Sequence, residues 1–354
     1  MAPNVPSSGC LGGNNEAKVG INNDTISGRS YLLSIPPKYS IWYPSPLIFS
    51  FHGGGQDATA QLNADLLTNS TINDQYILIY PEAVGGQWEV SPDSDSDDIG
   101  FVSKILGHVE SQLCIDESRI YATGKSQGGG LVGMLACDED MSTKIAAFAP
   151  VSGAFYVKNK DGCDPDTVTI KCSPGRSDIP ILEFHGGDDD VVPYDGLDDK
   201  RDACLPAIPH WAQTWAKQNN LSTSNISSDL TNEATMYQFG SGDNLGLVSH
   251  VYDGSKVGHV WPISKDLANS SGSTASFDAT PMILDFFGRY SLEASHTTVT
   301  SDGDVNGSSN GSSSGSKSSS GTSSSAGTQQ AMGTVLPLSC FLFYLFWTVF
   351  GLGD

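Results

Sequence analysis

The sequence predicts an α/β domain built on a mostly parallel sheet with helices on both faces, followed by a disordered tail. Three observations carry this. Short apolar runs alternate with amphipathic stretches along residues 1–293. Several of those runs are apolar at nearly every position, as strands buried on both faces must be. From about Ser295 the text becomes "SDGDVNGSSNGSSSGSKSSSGTSSSAG", too poor in apolar side chains to offset the entropy of ordering it.

Taken in order, "YLLSIP", "PLIFSFH", "YILIYPE", "RIYATG", "IAAFAPVSG", "IPILEFHG" and "LVSHVYD" read as strands. Between them, "DDIGFVSKILGHVESQL" places Val102, Ile105, Leu106, Val109 and Leu113 on one helical face, with Asp98 as N-cap. Further helices are expected over 127–137, 207–218 and 277–290. The organisation is a domain over 1–293, a flexible Ser/Gly-rich stalk over 294–330 and a hydrophobic segment over 331–354.

The net charge is −22 and the chain has no Lys/Arg cluster, which excludes a nucleic-acid partner that needs a basic surface. Of seven cysteines, Cys340 lies in the apolar tail. The other six form no C-x-x-C pair, which points to disulfides and an oxidising compartment rather than zinc. Sequons at Asn23, Asn69, Asn220, Asn225, Asn269, Asn306 and Asn310 agree with secretion. The start, "MAPNVPSSGC", has no basic or apolar leader, so a signal peptide is expected to have been removed or lost.

The chemistry concentrates in three stretches. In "RIYATGKSQGGGL" a predicted strand ends and a helix begins at Ser126, between Gly124 and Gly128. Small residues at those spacings allow a sharp turn that lifts a nucleophilic hydroxyl above the sheet edge. Two more G-x-S-x-G matches, Gly307 to Gly311 and Gly311 to Gly315, lie in the stalk, where nothing orients a base against the serine. In "FSFHGGGQ" a strand ends at His52 and runs into a glycine loop. Its amides at Gly54 and Gly55, joined by that of Gln127, are the expected donors to an oxyanion. In "EFHGGDDDVVPYDG" three consecutive acids, Asp188 to Asp190, follow a strand end, and the residues alone leave the choice among them open. A base should come later in the chain. His210 reads as a helix packing residue, His250 as a strand residue and His296 as part of the stalk. That leaves His259, in the loop "KVGHVWP".

Metal and cofactor readings fail. "DSDSDDIG" imitates the start of a calcium loop but carries Asp98 where glycine is needed and Lys104 where the closing glutamate belongs. No H-E-x-x-H, phosphate-binding or dinucleotide motif occurs, so no metal is expected.

In this order, "FHGGGQ", "YATGKSQGGG", "IPILEFHGGDDDVVPY", "CLPAIPHWAQTWA" and "GHVWP" resemble secreted fungal feruloyl esterases and their polyhydroxybutyrate-depolymerase-like relatives, over most of residues 9–290. The resemblance implies an α/β-hydrolase fold and no cofactor. It also implies ester hydrolysis through an acyl-enzyme, with Ser126 as nucleophile, His259 as base and Asp189 as the acid of H-G-x-x-D-x-x-V-P-Y. Feruloyl esters of plant cell-wall polysaccharide are the implied substrates; acetylxylan or polyhydroxybutyrate is the alternative. Trp88 and Trp261 are candidate walls for an aromatic acyl group or, equally, core residues. One departure is Leu221 near "QNNL", where relatives more often carry cysteine. A non-catalytic protein on the same scaffold is disfavoured, because all three residues are present. A monomer is expected.

Two expectations remain. A strand followed by a returning helix should bring Cys114 to Cys137. Cys163 and Cys172 flank a short loop, which leaves Cys10 for Cys204. Small residues around Ser324, a polar spacer and the apolar run Val335 to Leu352 match a lipid-anchor (GPI) attachment signal at Ser324, so the membrane is met only through a lipid anchor.

Overall fold

The computed structural model describes residues 4–11, 17–158, 163–265, 267 and 275–293. The chain forms two units, Met1–Thr297 and Thr298–Asp354, and every element described belongs to the first. The expected stalk, the hydrophobic segment, Ser324, Cys340 and His296 lie outside the described residues.

The strands are β1 (Gly20–Ile26), β2 (Arg29–Ile35), β3 (Ser45–Phe51), β4 (Ile77–Pro81), β5 (Ile115–Lys125), β6 (Ala147–Val151), β7 (Val157–Lys158), β8 (Ile181–His185), β9 (Ala203–Cys204), β10 (Asn225–Asp229), β11 (Thr235–Phe239) and β12 (Val248–Tyr252). The helices are α1 (Ala58–Asp65), α2 (Asp98–Gln112), α3 (Gln127–Cys137), α4 (Met141–Lys144), α5 (Ile208–Gln218) and α6 (Ala279–Phe287). Ten strands form one sheet in the order β1-β2-β4-β3-β5-β6-β8-β12-β11-β10. The run from β4 to β12 is parallel, and antiparallel strands close both edges. Strands β7 and β9 pair separately.

Alternation along β3 explains the layers. Leu47, Phe49 and Phe51 face one core, with Val102 and Ile105 of α2, Leu131 and Leu135 of α3, and Trp211 and Trp215 of α5. Ile48 faces the other, with Ala58 of α1 and Ile283 and Phe287 of α6. Both faces are thus covered, as the apolar runs require.

The seven predicted strands are present. The missed β1 and β10 are the edge strands, of polar composition, "GINNDTI" and "NISSD", and their order comes from ladder pairing rather than from a buried face. The missed β11, "TMYQF", lies between β12 and β10 and fully buries only Phe239. The N-cap of α2 is Asp97, whose side chain accepts from the Gly100 amide. Asp98 instead turns inward to bond Arg29 at 2.6 Å, the Glu89 amide at 2.6 Å and Ser96 at 2.8 Å.

All three expected disulfides are corrected. The bonds are Cys10–Cys114, Cys137–Cys172 and Cys163–Cys204, in place of Cys114–Cys137, Cys163–Cys172 and Cys10–Cys204. The reason is length. Both β5 and α3 have 11 residues. A strand rises about 3.3 Å per residue and a helix only about 1.5 Å, so α3 ends less than halfway back to Cys114. The N-terminal segment reaches Cys114 instead. Ser7 donates to the Ile115 carbonyl at 2.9 Å and through its hydroxyl to Leu113 at 2.7 Å, laying Cys10 beside the start of β5. The loop after β7 then divides its cysteines between the end of α3 and β9.

Candidate active site

The turn from β5 into α3 is built by close backbone approach. A Cβ on Gly124 would lie 2.8 Å from the Gly128 carbonyl carbon and from the Phe51 oxygen; one on Gly128 would lie 2.2 Å from the Phe51 oxygen. Only glycine fits both places. Between them Ser126 is held at φ 59° and ψ −121°, a conformation that disfavours any side chain. Strain of this kind costs about 1–3 kcal/mol and persists only where neighbours enforce it. Here the Ser126 amide donates to Val151 at 3.0 Å, and its carbonyl accepts from Gly130 and Ala154, each at 2.9 Å.

The glycine loop after β3 lies against this turn. A Cβ on Gly53 would come within 3.3 Å of the Ser126 Cβ, and one on Gly54 within 2.5 Å of the Gln127 amide nitrogen Nε2. Among the described residues, neither the Gly54 nor the Gln127 backbone amide has a protein acceptor. Gly55 is a correction. Its amide donates to the Gly86 carbonyl at 2.8 Å and is not available to a substrate.

Buried His52 braces the loop from below. Its Nδ1–H donates to Gly53 at 2.8 Å while Nε2 accepts from the Ala83 amide at 3.1 Å. Burial lowers its pKa, which keeps that neutral tautomer. Trp88 is a second correction. It is fully buried, donates from Nε1 to the His52 carbonyl at 2.7 Å, and stands in the core beneath the loop rather than as a wall for an acyl group. Trp261 is likewise buried, with Nε1 bonded to Thr280 at 2.9 Å, on the far side of the sheet. The Gln127 side chain ties these parts together. It donates to Gln87 at 2.8 Å and accepts from the Trp88 amide at 3.3 Å.

Asp189 and His259 meet. His259 Nδ1 donates to Asp189 Oδ2 at 2.7 Å, and Asp189 Oδ1 accepts from the amides of Val191 at 3.0 Å and Val192 at 2.8 Å. The loops that carry them are laced by Gly187 to Gly254 and Asp188 to Val257 backbone bonds, each 2.9 Å. Ser152, next to the residue that holds the Ser126 amide, donates to Val260 at 3.4 Å and hangs the histidine loop beside the serine turn. Neither Asp188 nor Asp190 bonds His259.

The electrostatics favour a neutral imidazole beside an ionised carboxylate. Burial lowers the His259 pKa, and the charges of Lys125 and His185 push it the same way against the pull of Asp189. Burial alone would raise Asp189; the bond and charge of His259, the Val192 amide and His185 outweigh it and hold the carboxyl below its usual range. Lys125, next to Ser126, is itself lowered by burial and opposed by Asp189. Sequence reading passed over Lys125, the Gln127 side chain, and Glu183 with His185. The last two left one signal: two titratable residues at i and i+2 of the otherwise apolar strand "ILEFH", hence on one face.

Known esterases resemble the chain in sequence and in fold. A probable feruloyl esterase C of Aspergillus niger is 32% identical over 176 residues, 48% of this chain and 58% of that protein. Feruloyl esterase C of Emericella nidulans is 30% identical over 182 residues, 50% of this chain and 60% of that protein. Over about half of its length the chain is similar in sequence to these feruloyl esterases. The matched regions span only about three-fifths of those relatives. An acetyl xylan esterase from Aspergillus awamori superposes with a TM-score of 0.53 at 15% identity, covering 76% of this chain and 99% of that one, which shows the α/β-hydrolase fold. No protein-family model matches the chain.

Proposed function

We propose that this chain is a serine carboxylic ester hydrolase that cleaves feruloyl esters of plant cell-wall polysaccharide through an acyl-enzyme. The observation that carries the reading is the 2.7 Å His259–Asp189 bond beside the strained Ser126 turn. Ser126 attacks the ester carbonyl while His259 takes its proton. Asp189 holds the imidazole tautomer and stabilises the cation that forms. The Gly54 and Gln127 amides receive the oxyanion. The leaving alcohol takes the proton from His259, which then activates water to release the acid. No cofactor enters this chemistry.

The disulfides and the exposed sequon residues Asn23, Asn220 and Asn225 support an extracellular enzyme. The anchor signal around Ser324 supports display at the cell surface or wall, with the protein acting as a monomer. A substrate panel tests the reading: methyl ferulate, methyl sinapate, acetylated xylan and short polyhydroxybutyrate. Fastest turnover of the hydroxycinnamates is expected. Hydrolysis of acetylated xylan or hydroxybutyrate alone would overturn the acyl assignment, and hydrolysis of none would overturn the activity.

A further inference from the structure

Behind the Asp189–His259 pair lies a second histidine. His185 ends β8, fully buried, and both of its ring nitrogens face acceptors. Nδ1 lies 2.8 Å from Glu183 Oε1, and Nε2 lies 2.7 Å from the Val192 carbonyl and 3.4 Å from Asp189 Oδ2. A neutral imidazole carries one N–H and cannot donate to both sides. Glu183 is fully buried too, and its other oxygen, Oε2, has no partner among the described residues. Burial raises the Glu183 pKa, with the Asp189 charge, against the charge and bond of His185 and the Gly153 amide. As a buried carboxylate it needs a counter-charge, and His185 is the cation in contact with it. Val192 completes the cage, because its carbonyl accepts from His185 and its amide donates to Asp189.

The surroundings do not offer a competing role. From β12, His250 packs on the same face; burial and the His185 charge lower its pKa to about 3, so it is neutral. Tyr194 bonds His250 Nε2 at 2.9 Å and leaves His185 alone. Lys125, at the end of β5, and Lys200, in the loop beyond, are the other cations near Asp189. Burial opposes a charged His185, but Glu183, Val192 and Asp189 together raise its pKa.

We propose that His185, held as an imidazolium by Glu183, is a positioning residue of the catalytic centre. It fixes the Asp189 carboxylate from behind and draws on the same oxygen that His259 uses. His259 therefore gains less basicity from Asp189 than it would from an unshared carboxylate, and remains neutral, able to accept the Ser126 proton, in acid solution. This rests on the esterase reading above.

The test is histidine ¹⁵N NMR combined with the pH profile of kcat/KM for p-nitrophenyl acetate, on the full domain and on Glu183→Gln and His185→Gln. In the wild type both His185 nitrogens should carry protons from pH 5 to 8. Glu183→Gln should leave His185 neutral at pH 7. The His259 pKa, and the acid limb with it, should then rise by about half a unit or more. His185→Gln should lower kcat about tenfold with KM within about twofold, because Asp189 loses a fixed neighbour rather than substrate losing a contact. A neutral wild-type His185, or a His259 pKa unmoved in Glu183→Gln, overturns the proposal. If His185→Gln fails to fold, Glu183→Gln decides. If the wild type hydrolyses no ester, the esterase reading falls, while the His259 titration still decides the role of His185.

Discussion

Gly128→Ala should remove activity by moving the nucleophile without touching it. The new Cβ would sit 2.2 Å from the Phe51 oxygen, 2.6 Å from its carbon and 2.7 Å from the His52 oxygen. All three are backbone atoms of buried β3 and the residue that follows it, so no side chain can swing away. Reaching even a 3.4 Å contact requires about 1.2 Å of relative movement between the start of α3 and β3. That movement displaces Ser126 and the Gln127 amide together. A misplacement of about 1 Å lowers rate roughly 100-fold, and overpacking destabilises by about 1–3 kcal/mol. Gly107→Ala is the control: it lies in α2 with nothing within 4 Å of the added Cβ, and should gain about 0.5–1 kcal/mol from helix propensity. Turnover of p-nitrophenyl acetate and urea denaturation would be followed for both. Wild-type kcat/KM in Gly128→Ala at unchanged stability would refute the reasoning.

Among the acids, Asp189→Asn should lower kcat about 10⁴-fold, whereas Asp188→Asn and Asp190→Asn should cost less than about tenfold; the reverse ranking would place the acid elsewhere. Since burial lowers the His259 pKa and the base must be neutral to act, the acid limb of kcat/KM should fall below 6.5, and a limb above that value would contradict the charge balance at the site. Asp65 is fully buried, and burial outweighs its bonds from Ser50, Leu67, Tyr80 and Gln61 to push its carboxyl from 3.8 to about 7. A raised acid stabilises the fold below its unfolded pKa and loses that contribution as pH climbs through 7. The stability of the wild type relative to Asp65→Asn should therefore decline from pH 5 to 8 in urea titrations, and an increase would show the sign to be wrong.

Much of the fold was legible because a parallel sheet buries both faces of its strands. The runs from "PLIFSFH" to "LVSHVYD" stand out against glycine-bounded turns for that reason, whereas edge strands such as "NISSD" bury little and look like loops. The turn at Ser126 was readable because backbone contact with Phe51 demands glycine at fixed spacing. Asp188, Asp189 and Asp190 are chemically equal in sequence, and only the loop geometry selects one to face His259. Cysteine pairing and the burial of Trp88 and Trp261 were not legible. They depend on how far α3 returns and on which aromatic rings the core needs, quantities set by three-dimensional packing. Amide availability is similar: Gly55 looks like Gly54 until Gly86 is seen to accept its N–H.

The most direct measurement is acid quenching of the enzyme during turnover of methyl ferulate, followed by peptide mass spectrometry. A feruloyl group esterified to Ser126, absent from Ser126→Ala, is the expected result. A turning-over enzyme with no acyl group on Ser126, or with the acyl group on another residue, would contradict the mechanism at its first step.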